Sequence, residues 1–92
     1  MKSYKASHIL VAAKYEAEDI LRKLSATPSE FESLARRHST CSSAPKGGNL
    51  GEIKIGKAES DFEESVLNLK INEISKIPVR TKFGYHIIKR NG

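Results

Sequence analysis

The period of the apolar positions changes several times along the chain, and each change marks an element. Residues 5–11, Lys5-Ala6-Ser7-His8-Ile9-Leu10-Val11, form a short, largely apolar run that predicts a buried strand. Ala17, Ile20, Leu21 and Leu24 then recur at i, i+3, i+4 and i+7, one face of a helix. Glu16, Glu18 and Asp19 fall in its first turn and Arg22 and Lys23 near its end, as the helix dipole favours. Thr27-Pro28-Ser29-Glu30 has the chemistry of a second helix start, with Thr27 as N-cap, Pro28 at the first helical position and Glu30 closing a capping box. Phe31, Leu34 and Ala35 supply the inward stripe of that helix. Ser60-Asp61-Phe62-Glu63 repeats this start chemistry for a third helix, with Phe62, Val66 and Leu69 inward.

The second half reads as strands separated by turns. Ser42-Ser43-Ala44-Pro45-Lys46-Gly47-Gly48 is a loop by composition, and residues 50–55 predict a short strand. Ile71-Asn72-Glu73 is a turn in which Asn72 tolerates the left-handed conformation. Residues 74–79 read as extended, with Pro78 restricting them to an edge or a bulge. Residues 84–89, Gly84-Tyr85-His86-Ile87-Ile88-Lys89, predict the last strand. The order β-α-α-β-α-β-β predicts an α+β fold, a sheet covered by helices. At 92 residues the chain is expected to be one domain, 1–92.

Composition narrows the function classes. Apolar residues make up 38 % and charged residues 29 %, enough for one small core under a charged surface. No apolar run approaches the length of a membrane span, and the first residues, Met1-Lys2-Ser3-Tyr4-Lys5, lack the apolar stretch of a secretory signal. With a single cysteine, Cys41, and hence no internal disulfide, the expectation is a cytoplasmic, reducing location and no membrane partner. The net charge of +5 raises nucleic-acid binding, because residues 74–92 carry Lys76, Arg80, Lys82, Lys89 and Arg90 and no acid. No basic block is interleaved with aromatics, so a solvated basic face is the preferred reading.

Few residues are candidates for chemistry. His8 and His86 occupy similar strand settings. If the first and last strands are neighbours, the two imidazoles lie side by side on one face. Each neutral ring donates from one nitrogen and accepts at the other, so the pair can remain neutral in the core. Taken singly, each reads as a satisfied core histidine; the matched pair is also compatible with a functional role. Cys41 is either a small inert hydrophobe or a nucleophile, for which His8, His38 or His86 would be the base. One Cys and three separated His match no zinc-ligand spacing, so no metal is expected. Gly47-Gly48-Asn49-Leu50-Gly51 lacks the ending of a phosphate loop and leads into a strand. These residues alone do not name a reaction.

Four segments carry a resemblance. They are Ser7-His8-Ile9-Leu10-Val11; Phe31-Glu32-Ser33-Leu34-Ala35 through His38-Ser39 to Cys41; Gly47-Gly48-Asn49-Leu50-Gly51-Glu52; and Phe83-Gly84-Tyr85-His86-Ile87-Ile88-Lys89. In this order and spacing the chain resembles the parvulin-type peptidyl-prolyl cis/trans isomerases over almost its whole length. The resemblance implies a four-stranded, mostly antiparallel sheet surrounded by three to four helices, with the site on its concave face. It implies an enzyme that turns X–Pro bonds in client segments and assists folding, monomeric and without a cofactor. His8 and His86 would form the dual-histidine motif, with Thr81 as hydrogen-bonding neighbour and Cys41 beside the substrate carbonyl. Leu50, Phe62 and Phe83 would line the proline pocket. Two departures stand out. Ala58 occupies the place of a pocket methionine, which bears on the depth of the pocket and the catalytic rate. The loop Ala12-Ala13-Lys14-Tyr15-Glu16 has one Lys where the phospho-specific members carry a basic clamp, so no phospho-specificity is expected. A non-catalytic parvulin-fold chaperone or peptide-binding module is the alternative.

Overall fold

The computed structural model describes residues 2–92. The elements run β1 (Ser3–Val11), α1 (Lys14–Ala26), α2 (Phe31–His38), β2 (Asn49–Lys54), α3 (Ser60–Leu67), β3 (Val79–Thr81) and β4 (Gly84–Arg90), with 3₁₀ turns at Pro28–Glu30 and Ala44–Lys46. This is the expected order, and the fold is α+β. The sheet has four strands in the order β2-β1-β4-β3, and all three pairings are antiparallel. No helix among the described residues is long and apolar enough to cross a membrane.

Strand alternation sends neighbours in sequence to opposite faces. Ile9, Val11 and Ile87 point to one face, where α1 contributes Ala17, Ile20 and Leu24 and α2 contributes Phe31, Leu34 and Ala35. Tyr4, Ala6 and Ile88 point to the other, where α3 contributes Phe62 and Val66. His8 and His86, two residues from Ala6 and Ile88 along their strands, share this second face.

β2 breaks the alternation. Lys5 faces Glu52 and Ala6 faces Gly51, but Ser7 faces Asn49, so Leu50 is an extra residue in the pairing. Gly51 sits in the left-handed region, φ 73°, and supports the bulge. The slip turns Leu50 and Ile53, three apart, toward the same apolar cluster. At Gly48, φ 84°, a side chain would place its Cβ 2.3 Å from the His8 carbonyl oxygen. That close approach lets the Gly48 carbonyl accept from the His8 N–H at 2.9 Å, tying the loop to the strand that carries the histidine.

Several local expectations change. Thr27 does not cap α2. Its N–H instead donates to the Lys23 carbonyl to close α1, its side chain makes no capping bond, and Glu30 returns to it only through the backbone. Pro28 opens a 3₁₀ turn, which fills the short connection between the helices. α3 begins at Ser60, so Glu59 rather than Ser60 holds the N-cap position. Of the acids in α1 only Glu16 lies in the first turn; Asp19 pairs with Arg22 at 2.8 Å and Lys23 at 3.8 Å. Residues 74–79 are not a continuous strand. Ile74 bridges Lys89, and regular pairing resumes only at Val79, after Pro78, which has no N–H to give. Asn72 is left-handed as expected, φ 73°.

Candidate active site

β1 and β4 are the central strands, and their register sets the histidine pair. His8 lies opposite Ile88 and Leu10 opposite His86, so the two rings are diagonal neighbours on one face. Their Nδ1 atoms are 2.8 Å apart and the rings stack with centroids 5.0 Å apart. His86 Nε2 lies 2.7 Å from Thr81 Oγ1, and the Phe83 N–H donates to that same oxygen at 3.2 Å. One hydrogen between the two Nδ1 atoms leaves both rings neutral, whichever ring donates it. Burial pushes both histidines down to about 4, and the charge of His86 adds to the effect on His8. Phe62 from α3 meets both rings edge-on, at 5.7 Å from His8 and 5.3 Å from His86. His8 Nε2 is buried without a partner.

Over this pair lies a cavity of about 270 Å³ lined by His8, Leu10, Cys41, Leu50, Ile53, Ala58, Glu59, Phe62, Thr81, Phe83 and His86. Every residue that the family resemblance assigned to the site is on that wall: His8, Cys41, Thr81, His86, Leu50, Ala58, Phe62 and Phe83. A larger hollow of about 350 Å³, between α1 and residues 72–76, contains no histidine and no cysteine. Phe83 is 64 % exposed, so it forms a rim rather than a floor.

Cys41 arrives by a different route. After α2 the Thr40 N–H donates to the Leu10 carbonyl, and the Ser39 hydroxyl accepts from the N–H groups of Leu10 and Cys41, at 3.0 and 3.3 Å. These bonds dock the loop on the end of β1. Burial pushes the Cys41 thiol up, but the polar groups of Ser43 and Ser42 outweigh it and hold the thiol below its ordinary value. The Ser43 backbone is the larger of these influences, and the Ser43 hydroxyl itself lacks a partner at hydrogen-bond distance. His38 lines a separate hollow with Tyr15, Glu16 and Asp19 and not this cavity, so it is not placed as a base for Cys41. Among the described residues no group of three or more His, Cys, Asp or Glu is arranged to hold a metal.

The geometry agrees with comparison to known proteins. Residues 4–92 match the family model described as Rotamase, the PPIC-type PPIase domain. The chain belongs to this family of peptidyl-prolyl isomerases.

The foldase protein PrsA of Bacillus subtilis (strain 168) is 48 % identical over 94 % of the chain, which spans 29 % of that protein's length. The peptidyl-prolyl cis-trans isomerase Pin1 of Digitalis lanata is 46 % identical over 84 % of the chain and 64 % of its own length. NmPin, the parvulin of Nitrosopumilus maritimus, superposes with a TM-score of 0.85 at 42 % identity, covering 100 % of this chain and 98 % of its own. The sheet order and helix placement above are thus those of a parvulin.

Three residues of this cavity were not singled out from the sequence: Leu10, Ile53 and Glu59. Leu10 was legible, because it lies two residues after His8 on a strand and so shares its face. Ile53 was not, because strict alternation from Leu50 sends it to the opposite face and only the bulge at Gly51 returns it. Glu59 resembles any solvated acid before a helix until the turn ahead of α3 is in place. That turn is held by Glu63, whose carboxylate accepts from the Gly56 N–H and the Tyr4 hydroxyl, each at 3.0 Å.

Proposed function

We propose that the domain, 1–92, turns X–Pro bonds in flexible client segments by gripping the proline ring and lowering the cost of twisting the amide before it. The observation that carries this reading is the juxtaposition of an apolar cavity, a neutral histidine pair and Cys41 on one sheet face. Amide resonance sets a barrier of ~18–20 kcal/mol, and rotation requires no proton transfer, metal or nucleotide. A twisted amide has lost that resonance and is less polar than the planar one, so moving it from water to an apolar wall favours the twisted form.

Leu50, Ala58 and Phe62 would hold the ring, Phe83 would close over it, and Cys41 would face the carbonyl that swings. In this reading His8 and His86 are a rigid neutral floor. Their charged forms are disfavoured at neutral pH, and Thr81 and Phe62 fix the rings. Glu59, the charged side chain of the cavity wall, opposes a phosphate before the proline, which supports a non-phospho-specific site. The unpaired Cys41 supports a reducing, cytoplasmic setting, and the basic surplus is read as a solvated face, with the domain acting as a monomer.

Protease-coupled isomerisation of an Xaa-Pro peptide tests the proposal directly. Acceleration at micromolar domain, unchanged by a chelator, is the expected result. A rate equal to the uncatalysed one would leave the second reading, a peptide-binding chaperone module, which Ala58 favours by widening the ring pocket. Gel filtration with light scattering tests the monomer, and cell fractionation tests the location.

A further inference from the structure

Glu59 is the one acidic group on a wall otherwise made of apolar side chains, Cys41, Thr81 and the neutral histidines. Its Oε2 is sealed from solvent and has no hydrogen-bond partner. The ion pairs among the described residues involve Asp19 and Glu32 on α1 and α2, and none reaches Glu59. Glu59 holds the N-cap position of α3, yet its side chain makes no capping bond. The helix dipole favours a carboxylate there but gives this oxygen no donor. A buried acceptor without a donor is costly, more so when charged. Oε2 is covered in this conformation while the residue as a whole is partly exposed, so a turn of the side chain toward the cavity would present the carboxylate to a donor on a bound peptide.

The surroundings fit that role. Cys41 reaches the cavity from the Leu10 end of β1, through the Thr40 bond to the Leu10 carbonyl. The segment leading to Glu59 leaves from the other end, where the Ile55 N–H donates to the Lys2 carbonyl. Leu50, Ala58 and Phe62 lie on the same wall. The Gly56 turn that carries this segment is anchored by Glu63. A carboxylate on a fixed turn, with its partner missing, suits a cationic side chain, and the guanidinium fork of Arg above all.

We propose that Glu59 is a specificity-determining residue that selects client segments with Arg or Lys adjacent to the proline, pairing with that side chain while the ring occupies the apolar wall. This rests on the isomerase reading above and names the substrate class of the same site.

The test is kcat/KM for two sets of peptides. In one set the residue before proline is Arg, Ala or Glu; in the other the residue after it is. Arg is expected to exceed Ala about fivefold at one of the two positions, the upper range for a partly exposed ion pair. Glu should fall below Ala, and the Arg preference should shrink with salt. In Glu59→Gln the Arg-to-Ala ratio should approach one, and in Glu59→Lys the preference should move to Glu. Equal values for Arg and Ala at both positions in the wild type would overturn the proposal, without any variant having to fold. An Arg preference that persists in Glu59→Gln would also overturn it. If the wild type turns over none of the peptides, the isomerase reading fails. Dissociation constants of the same peptides, measured by calorimetry or NMR titration, then decide the Glu59 proposal by the same Arg-to-Ala ratio.

Discussion

On one face of the sheet, α1 and α2 close over Ile9, Val11 and Ile87, and every buried member of that cluster is at most 3 % exposed. On the other face α3 alone, eight residues long, covers the strands. It seals Tyr4, Ala6 and Ile88 but leaves the ends of β1 and β4 open above His8 and His86. The difference is a matter of area. Two amphipathic helices suffice to bury a sheet face in a small domain, whereas one short helix leaves a strip uncovered. That strip is where the strands carry imidazoles instead of aliphatic side chains and where the cavity lies. One face therefore holds the molecule together, and the other trades part of its burial for a place to bind.

The sharpest way to break this comparison is to cut each face separately. Leu34→Ala on α2 opens a hole in the closed face and should cost about 2–5 kcal/mol. In a domain of this size each kcal/mol lowers Tm by roughly 4–8 °C. kcat/KM per folded molecule, measured well below Tm, should stay near the wild-type value. A large loss of kcat/KM in the folded protein would mean that the closed face also shapes the site.

On the open face, His86→Ala leaves His8 Nδ1 without its partner and Thr81 Oγ1 with only the Phe83 N–H, and should cost about 1–3 kcal/mol. Activity should fall with it. The same pair predicts a pH dependence. Both folded-state values lie at about 4, below the ordinary 6.5, so the unfolded chain binds protons first as pH falls. The contribution to stability is therefore fully present above about pH 6.5 and is lost progressively toward pH 4. Melting temperatures measured across that interval should decline in the wild type and decline less steeply in His86→Ala. Parallel curves would show that the imidazoles are not the groups that titrate.

The smallest expected effect concerns the depth of the open strip. Ala58 lines the cavity and is only partly buried. A Met at this position adds apolar contact to the ring wall, and if about 1 kcal/mol is realised in the twisted state, kcat/KM rises about fivefold. Ala58→Met is expected to show this rise with little change in Tm. An unchanged or lower rate would mean that Leu50, Ile53 and Phe62 already fill the space that the methionine would enter.

Much of this was legible before folding. The 3.6-residue stripes of α1 and α2 and the apolar runs of β1 and β4 depend on local periodicity, which any buried amphipathic element must show. The left-handed Asn72 and the element order were read from the same local rules. So were the two histidines, because each sits in a strand-like run, and the family resemblance brought Cys41, Leu50, Ala58, Phe62, Thr81 and Phe83 to the same site. Helix starts were less legible. Thr27 and Ser60 have capping chemistry, but the backbone used Thr27 to close the preceding helix and Glu59 to precede the next one. Capping is decided by where the chain must turn, not by side-chain type alone.

The sequence by itself determined a small α+β domain with a histidine in each of two strand-like runs, because period and order depend on neighbours along the chain. Only the tertiary structure decided that the two rings meet through Nδ1 at 2.8 Å, since the β1–β4 register joins residues 78 apart. It also decided that Ile53 turns inward past the bulge at Gly51, and that Glu59 stands on the cavity wall with an unpaired oxygen. Each of these depends on contacts between segments distant in sequence, and one-residue slips that no local pattern records change which side chain faces the site.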